Sequence, residues 1–170
     1  LDGLPVHIVL RALLDCRSFN AAKSLGQEQA QGKASNIIVA DANTNGLDIE
    51  FCGDRFFMLE PEKDYLLHTN HYIGEAINSP HCADFASSYA RFKRANTLLA
   101  NNKDRSVAQL CQLLSDESDS ELPIYREYVV DDSVHELGTV CSIVMSLADR
   151  KMLIRKGKGE GALFFEYGLD

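Results

Sequence analysis

Between residues 34 and 60 the chain reads ASNIIVADANTNGLDIEFCGDRFFMLE, three β-favouring runs separated by only a few turn-forming residues. This stretch constrains the fold more than any other. Parallel neighbours need a crossover of a dozen or more residues, and DANTNG and CGD are far too short for one, so successive strands must run antiparallel. ASNIIVADA is apolar on both faces, as in a strand buried between two layers. GLDIEF alternates instead, with Leu47, Ile49 and Phe51 on one side and Asp48 and Glu50 on the other. RFFMLE and then DYLLHT, after the turn-prone PEKD, continue the series and predict a four-stranded meander over residues 35 to 70.

The period is helical on either side. In LPVHIVLRALLDC, Pro5 stands at a plausible first helical position, and Val6, Val9, Leu10, Leu13 and Leu14 follow at helical spacing. Ser18 is placed to cap a second helix carrying Phe19, Ala22 and Leu25 on one face and fading by Gly32, which makes a helical hairpin. From about residue 83 the helical period returns, with Phe85, Tyr89, Phe92 and Leu99 on one face. Ser106 and Gln109 form a capping box ahead of Val107, Leu110, Cys111 and Leu114. After the acidic SDESDSE loop come three strand-like runs, GTVCSIVMSLA, RKMLIRKG and ALFFEYG. No repeat or linker divides the chain. Helix pair, strands, helix pair and strands give an α+β fold of antiparallel sheet covered by helices.

The 170 residues carry a formal net charge of −8 and a pI of about 5.1, which argues against a nucleic-acid-binding surface. No apolar stretch reaches the roughly 20 residues that span a bilayer, so neither nucleic acid nor membrane is an expected partner. Five cysteines, Cys16, Cys52, Cys82, Cys111 and Cys141, are odd in number, widely spaced and without a C-x-x-C pair. They read as reduced, mostly buried thiols of an intracellular, cytoplasmic or organellar protein.

Candidate chemistry clusters in DYLLHTNHY. His68 and His71 are three apart, and on a strand they point to opposite faces, so a shared metal ion is disfavoured. His81, Cys82 and Asp84 add no recognised zinc spacing. A partly buried histidine at a strand end plus a surface histidine is the favoured reading. The basic run Arg91, Lys93, Arg94 and Lys103 reads as a solvated helix face. Arg126, in LPIYREY, sits in an apolar and aromatic setting. It either pairs with an internal carboxylate or offers its fork to a substrate, and spacing does not separate the two.

Taken in order, GLPVHIVLRALLDC, ASNIIVADANTNGLDIEF, LLHTNHY, SSYARFKRANTLL, PIYREY and GTVCSIVMSLADRKMLIRKG resemble the C-terminal portion of the penicillin acyltransferase family. These are N-terminal-nucleophile enzymes of the acyl-coenzyme A:6-aminopenicillanic acid acyltransferase type. The resemblance covers nearly the whole chain and rests on the ordered set; H-T-N-H after an apolar run is its most distinctive member. It implies that residues 1–170 are part of one four-layer αββα catalytic domain, with both groups of strands in the same sandwich. It also implies an amide-bond acyltransferase or amidohydrolase made as a self-cleaving precursor, in which an exposed N-terminal cysteine forms an acyl-enzyme.

Residue by residue, Asn70 matches the family's oxyanion-hole asparagine and Arg126 a site arginine. The family serine just before that arginine is absent, since Pro123, Ile124 and Tyr125 stand there. Tyr125 is expected to contact substrate together with Ser35 and Asn36. The chain opens at Leu1, beyond the position of the family's nucleophile. None of the five cysteines is therefore assigned as catalytic, and an upstream segment, covalent or associated, is the expected partner. No cofactor or metal is implied, and acyl-coenzyme A enters only as an acyl-donor substrate. The competing reading is a non-catalytic family member or subunit that binds small acyl or amine compounds.

Overall fold

The computed structural model describes residues 4–29, 32–61, 63–74, 86–128, 137–157 and 163–168. The chain divides into two compact units, Leu1–Phe85 and Ala86–Asp170. Among the described residues there are four helices and two three-stranded antiparallel sheets, an α+β composition.

The first unit opens with α1 (Val6–Leu14) and α2 (Phe19–Gln29). Pro5 is the N-cap of α1 and not its first helical residue, with an extended ψ of 135°. Val9 and Leu13 are the buried residues of α1, whereas Leu14 faces solvent. Ser18 Oγ accepts from the Ala21 amide at 3.2 Å, the expected cap of α2. Strands β1 (Gly32–Ala40), β2 (Gly46–Gly53) and β3 (Arg55–Leu59) form a sheet in that order.

Both turns of this sheet are built by their sequence. The Asp41 carboxylate accepts from the amides of Asn43 (2.9 Å) and Asn45 (3.0 Å) and from the Asn45 carboxamide (2.8 Å), closing DANTNG around one side chain. Between β2 and β3, Cys52 pairs with Arg55 across two residues. Gly53 takes φ 67° there, which a residue with a Cβ adopts only under strain.

The two faces of β2 have different covers. Leu47, Ile49 and Phe51 join Ile37 of β1 and Val9, Leu13 and Ala22 of the helices in one buried cluster, with Val39 and Met58 packed against it. Asp48 and Glu50 point the other way, yet they are 1% and 0% exposed. Their cover is the segment after β3, and here the expected fourth strand does not exist. Residues 65–69 are in no ladder. Leu66 lies close to Gly46 of β2, and the amides of Ile73 and Gly74 bond to Glu50. The segment therefore crosses the sheet face instead of extending its edge. A buried carboxylate without donors costs more than an unpaired edge strand in water, so Glu50 prevails over the β-propensity of DYLLHT.

The second unit contains α3 (Ala86–Asn101), α4 (Val107–Leu113), β4 (Cys141–Ser146), β5 (Lys151–Lys156) and β6 (Phe165–Gly168). The buried stripe of α3 is Ser88, Ala95 and Leu99, while Tyr89 is exposed and Phe85 lies outside the described residues. Ser106 Oγ caps α4 by accepting from the Gln109 amide at 3.4 Å. The expected reciprocal half of the capping box is replaced. The Ser106 amide goes to Asp104 at 2.8 Å, and the Gln109 side chain accepts from Asn102 at 2.7 Å.

The β4-β5-β6 sheet also has two distinct faces. On one, Ser142, Val144 and Arg155 are buried. Arg155 donates to Ser115 Oγ (2.7 Å) and to the Leu114 carbonyl at the C-terminus of α4 (2.9 Å), where a cation is favoured. On the other face Ile143, Met145, Phe165 and Tyr167 are exposed, with Met152 and Ile154 of β5 in register between them.

Candidate active site

The H-T-N-H stretch forms a braced loop. Glu50 Oε1 is 2.7 Å from His68 Nε2 and accepts from the Ile73 amide at 2.6 Å, and Oε2 accepts from the Gly74 amide at 2.7 Å. One carboxylate thus joins residue 68 to residues 73 and 74 and closes the four residues between them, 69–72, into a loop. Gly74 is required by this closure, because a Cβ there would fall 2.5 Å from the Phe57 ring and 2.8 Å from Glu50 Oε2. Tyr72 adds a hydrogen bond from its hydroxyl to the Phe51 carbonyl at 3.0 Å. Within the loop, Thr69 Oγ1 and His71 Nδ1 are 3.1 Å apart.

Asn70 stands at the bend of this loop and is exposed, between the 5%-exposed side chain of His68 and the buried His71. The expected surface position of His71 is therefore corrected, as is the placement of Asn70 at a strand end. The loop that carries Asn70 is held at both ends by the Glu50 side chain. Among the described residues no group of three or more His, Cys, Asp or Glu side chains is arranged to hold a metal ion.

The charges under the loop are coupled. Burial pushes the Glu50 carboxyl up, but the hydrogen bonds from His68, Ile73 and Gly74 outweigh it and hold Glu50 below the usual glutamate value. Burial alone would lower His68, but the Glu50 contact and the charges of Asp48 and Glu50 raise it above the usual histidine value. Burial keeps Asp48 raised against the opposing pull of His68 and of Asn36, which donates its Nδ2–H to this carboxylate. The Glu50–His68 contact thus favours the charged form of each partner.

The pleat separates the two residues expected from β1. Asn36 pairs with Glu50 and Ser35 with Phe51, so Asn36 shares the face of the Asn70 loop and Ser35 the helix-covered face. Tyr125 and Arg126 belong to the second unit. Tyr125 is buried, donates its hydroxyl to the Gly157 carbonyl at 2.8 Å, and lies 4.0 Å beneath the Arg155 guanidinium. Arg126 is half-buried. Its amide donates to Thr139 Oγ1 (2.9 Å) and its Nη2 to the Glu121 carbonyl (2.9 Å).

Of the basic run, Arg94 is engaged bidentately by Asp116 at 2.7 and 3.0 Å and is not simply solvated. Arg91 is half-buried, and burial followed by the nearby Arg126 charge lowers its pKa. The described cysteines Cys16, Cys52, Cys111 and Cys141 are free thiols; Cys141 is exposed, against the expectation of burial. Cys82, with His81 and Asp84, lies outside the described residues.

The alternation of GLDIEF places Asp48 and Glu50 on one side of the strand but assigns no role to them or to their contact with His68. A signal was present. An acid alternating through a central strand, flanked by a neighbour apolar on both faces, belongs to a sheet covered on both sides, where each acid needs donors.

Two antiparallel α+β units, one with Asn70 exposed on a loop pinned by Glu50, define the architecture. The family model for acyl-coenzyme A:6-aminopenicillanic acid acyl-transferase matches residues 1–160. The chain belongs to that acyltransferase family. A comparison with the curated proteins finds no match. No helix among the described residues is long and apolar enough to cross a membrane.

Proposed function

We propose that this chain forms part of an amide-bond acyltransferase or amidohydrolase in which the acyl-enzyme is carried on an N-terminal cysteine located outside residues 1–170. The supporting observation is the braced presentation of Asn70. An oxyanion donor has to be neutral, exposed to substrate and fixed before the reaction begins. Asn70 is exposed, and its loop is pinned at both ends by Glu50.

In the proposed reaction the cysteine α-amino group takes the thiol proton, and the thiolate attacks the amide or thioester carbonyl. Asn70 Nδ2–H donates to the tetrahedral oxyanion. Collapse expels the amine, protonated by the α-ammonium group, or the thiolate of a donor such as acyl-coenzyme A. Water or an acceptor amine then attacks the acyl-enzyme and releases the cysteine thiolate. Arg126 is the proposed anchor for a substrate carboxylate or carbonyl, and Asn36 the residue that extends the polar floor next to the Asn70 loop.

The exposed apolar face of the β4-β5-β6 sheet supports a place for it in a four-layer αββα sandwich, because such a face is stable in water only when covered. Trapping decides the function. The complete enzyme, incubated with a slowly turned-over thioester, should gain one acyl mass on a cysteine outside residues 1–170. Labelling of one of the chain's own five cysteines, or binding without any acyl adduct, would contradict the proposal, the latter in favour of a non-catalytic binding subunit.

A further inference from the structure

We infer that Glu50 is the positioning residue of the oxyanion site: through His68 and the amides of Ile73 and Gly74 it sets the place and direction of Asn70, without itself touching substrate. This inference rests on the oxyanion reading of Asn70.

Four observations bear it. Glu50 is fully buried, so its carboxylate is not spent on solvent. It meets three donors at 2.6 to 2.7 Å, and all three belong to the two ends of the loop that bears Asn70. Its anchorage is rigid, since Glu50 pairs with Asn36 on one side and Phe57 on the other in the middle of a three-stranded sheet. Finally, Gly74 leaves only enough room for the carboxylate oxygen to approach, with a Cβ excluded at 2.8 Å. A side chain that only filled space would need neither the charge nor three convergent donors.

The chemistry makes the role specific to a carboxylate. Glu50→Gln keeps size and shape but turns one acceptor oxygen into a donor. An N–H then faces the backbone N–H of Gly74 or of Ile73, and the C-terminal end of the clasp opens. Asn70 stays in the chain but loses its fixed direction, so the loss falls on the step in which negative charge develops and not on ground-state binding.

The test is a double-mutant cycle in the complete enzyme, with single-turnover acylation and substrate affinity measured separately. Asn70→Ala should slow acylation by roughly 10²–10³. Glu50→Gln should slow it by roughly 10- to 100-fold with affinity nearly unchanged, as a small displacement of a reacting group does. In the Asn70→Ala background, Glu50→Gln should then cost little more, because its effect passes through the residue already removed. Ser106→Ala, which weakens the fold at the cap of α4, controls for stability and should leave acylation unaltered.

If both variants are slow and their effects multiply in full, Glu50 does not act through Asn70 and the inference fails while the oxyanion role stands. If Asn70→Ala is silent, the oxyanion role itself fails, and this inference with it. Should Glu50→Gln not fold, His68→Leu, which removes one donor of the three, replaces it in the same cycle. Amide hydrogen exchange supplies a readout apart from activity. Ile73 and Gly74 should be protected in the wild type and lose that protection in Glu50→Gln before the strands do. Unchanged protection at both would overturn the clasp.

Discussion

Glu50 and His68 face each other at 2.7 Å inside the protein, so the loop above them responds to pH from both sides. The folded-state pKa of Glu50 is lowered; its contribution is present above the unfolded glutamate value and is lost as pH falls through the folded value. That of His68 is raised; its contribution is complete below the unfolded histidine value and is lost as pH rises through the folded one. Asp48, raised by burial, favours low pH and partly offsets Glu50 on the acid side. Stability of the complete protein should therefore decline as pH rises through the neutral range, and His68→Gln should flatten that decline. Urea midpoints measured across roughly pH 5 to 9 check this; an equally steep decline in the variant would assign it to other groups. Asn70→Asp should be no better than Asn70→Ala in turnover, because a carboxylate repels the oxygen it faces. At this scale the motif singled out Asn70 but neither its exposure nor the clasp. Nothing local marks that Glu50, eighteen residues before His68 in the chain, will meet it under a loop.

Elements were legible where local signals agreed. The alternation of GLDIEF, the turn at DANTNG, Ser18 and Ser106 as caps, and three final strands all formed as read. DYLLHT was misread because β-propensity describes how a side chain fits a pleated surface, whereas this segment is held by bonds to a carboxylate on another strand. Two variants gauge the elements. Ile49→Ala, at a site with 0% exposure in the helix-covered core, should cost about 2–5 kcal/mol of unfolding free energy. Ser106→Ala should cost about 1 kcal/mol, the usual value of one lost N-cap. Denaturant unfolding measures both, and a cap loss as large as the core loss would mean that α4 carries more of the fold than its seven residues suggest.

At the scale of the molecule, the α+β class follows from the alternation of periods along the chain, but the arrangement of layers does not. Residues 143, 145, 165 and 167 read as ordinary strand apolars, and only in the folded sheet do they gather on one exposed face. If a second sheet covers that face in the complete enzyme, Met145→Lys should destabilise it by about 1–3 kcal/mol, the cost of burying an unpaired polar group. A change within about 0.5 kcal/mol would mark the face as true surface. If the proposed nucleophile-bearing segment covers this face, residues 1–170 produced alone should aggregate through it and be rescued by co-expression with that segment.

The most direct test of the central claim is the rate of the first acylation turnover in the complete enzyme carrying Asn70→Ala, set against that in His71→Ala. The clasped-carboxamide account predicts that Asn70→Ala slows acylation by roughly 10²–10³ at unchanged substrate affinity, while His71→Ala changes the rate little. A normal acylation rate in Asn70→Ala, with turnover abolished in His71→Ala, would contradict it.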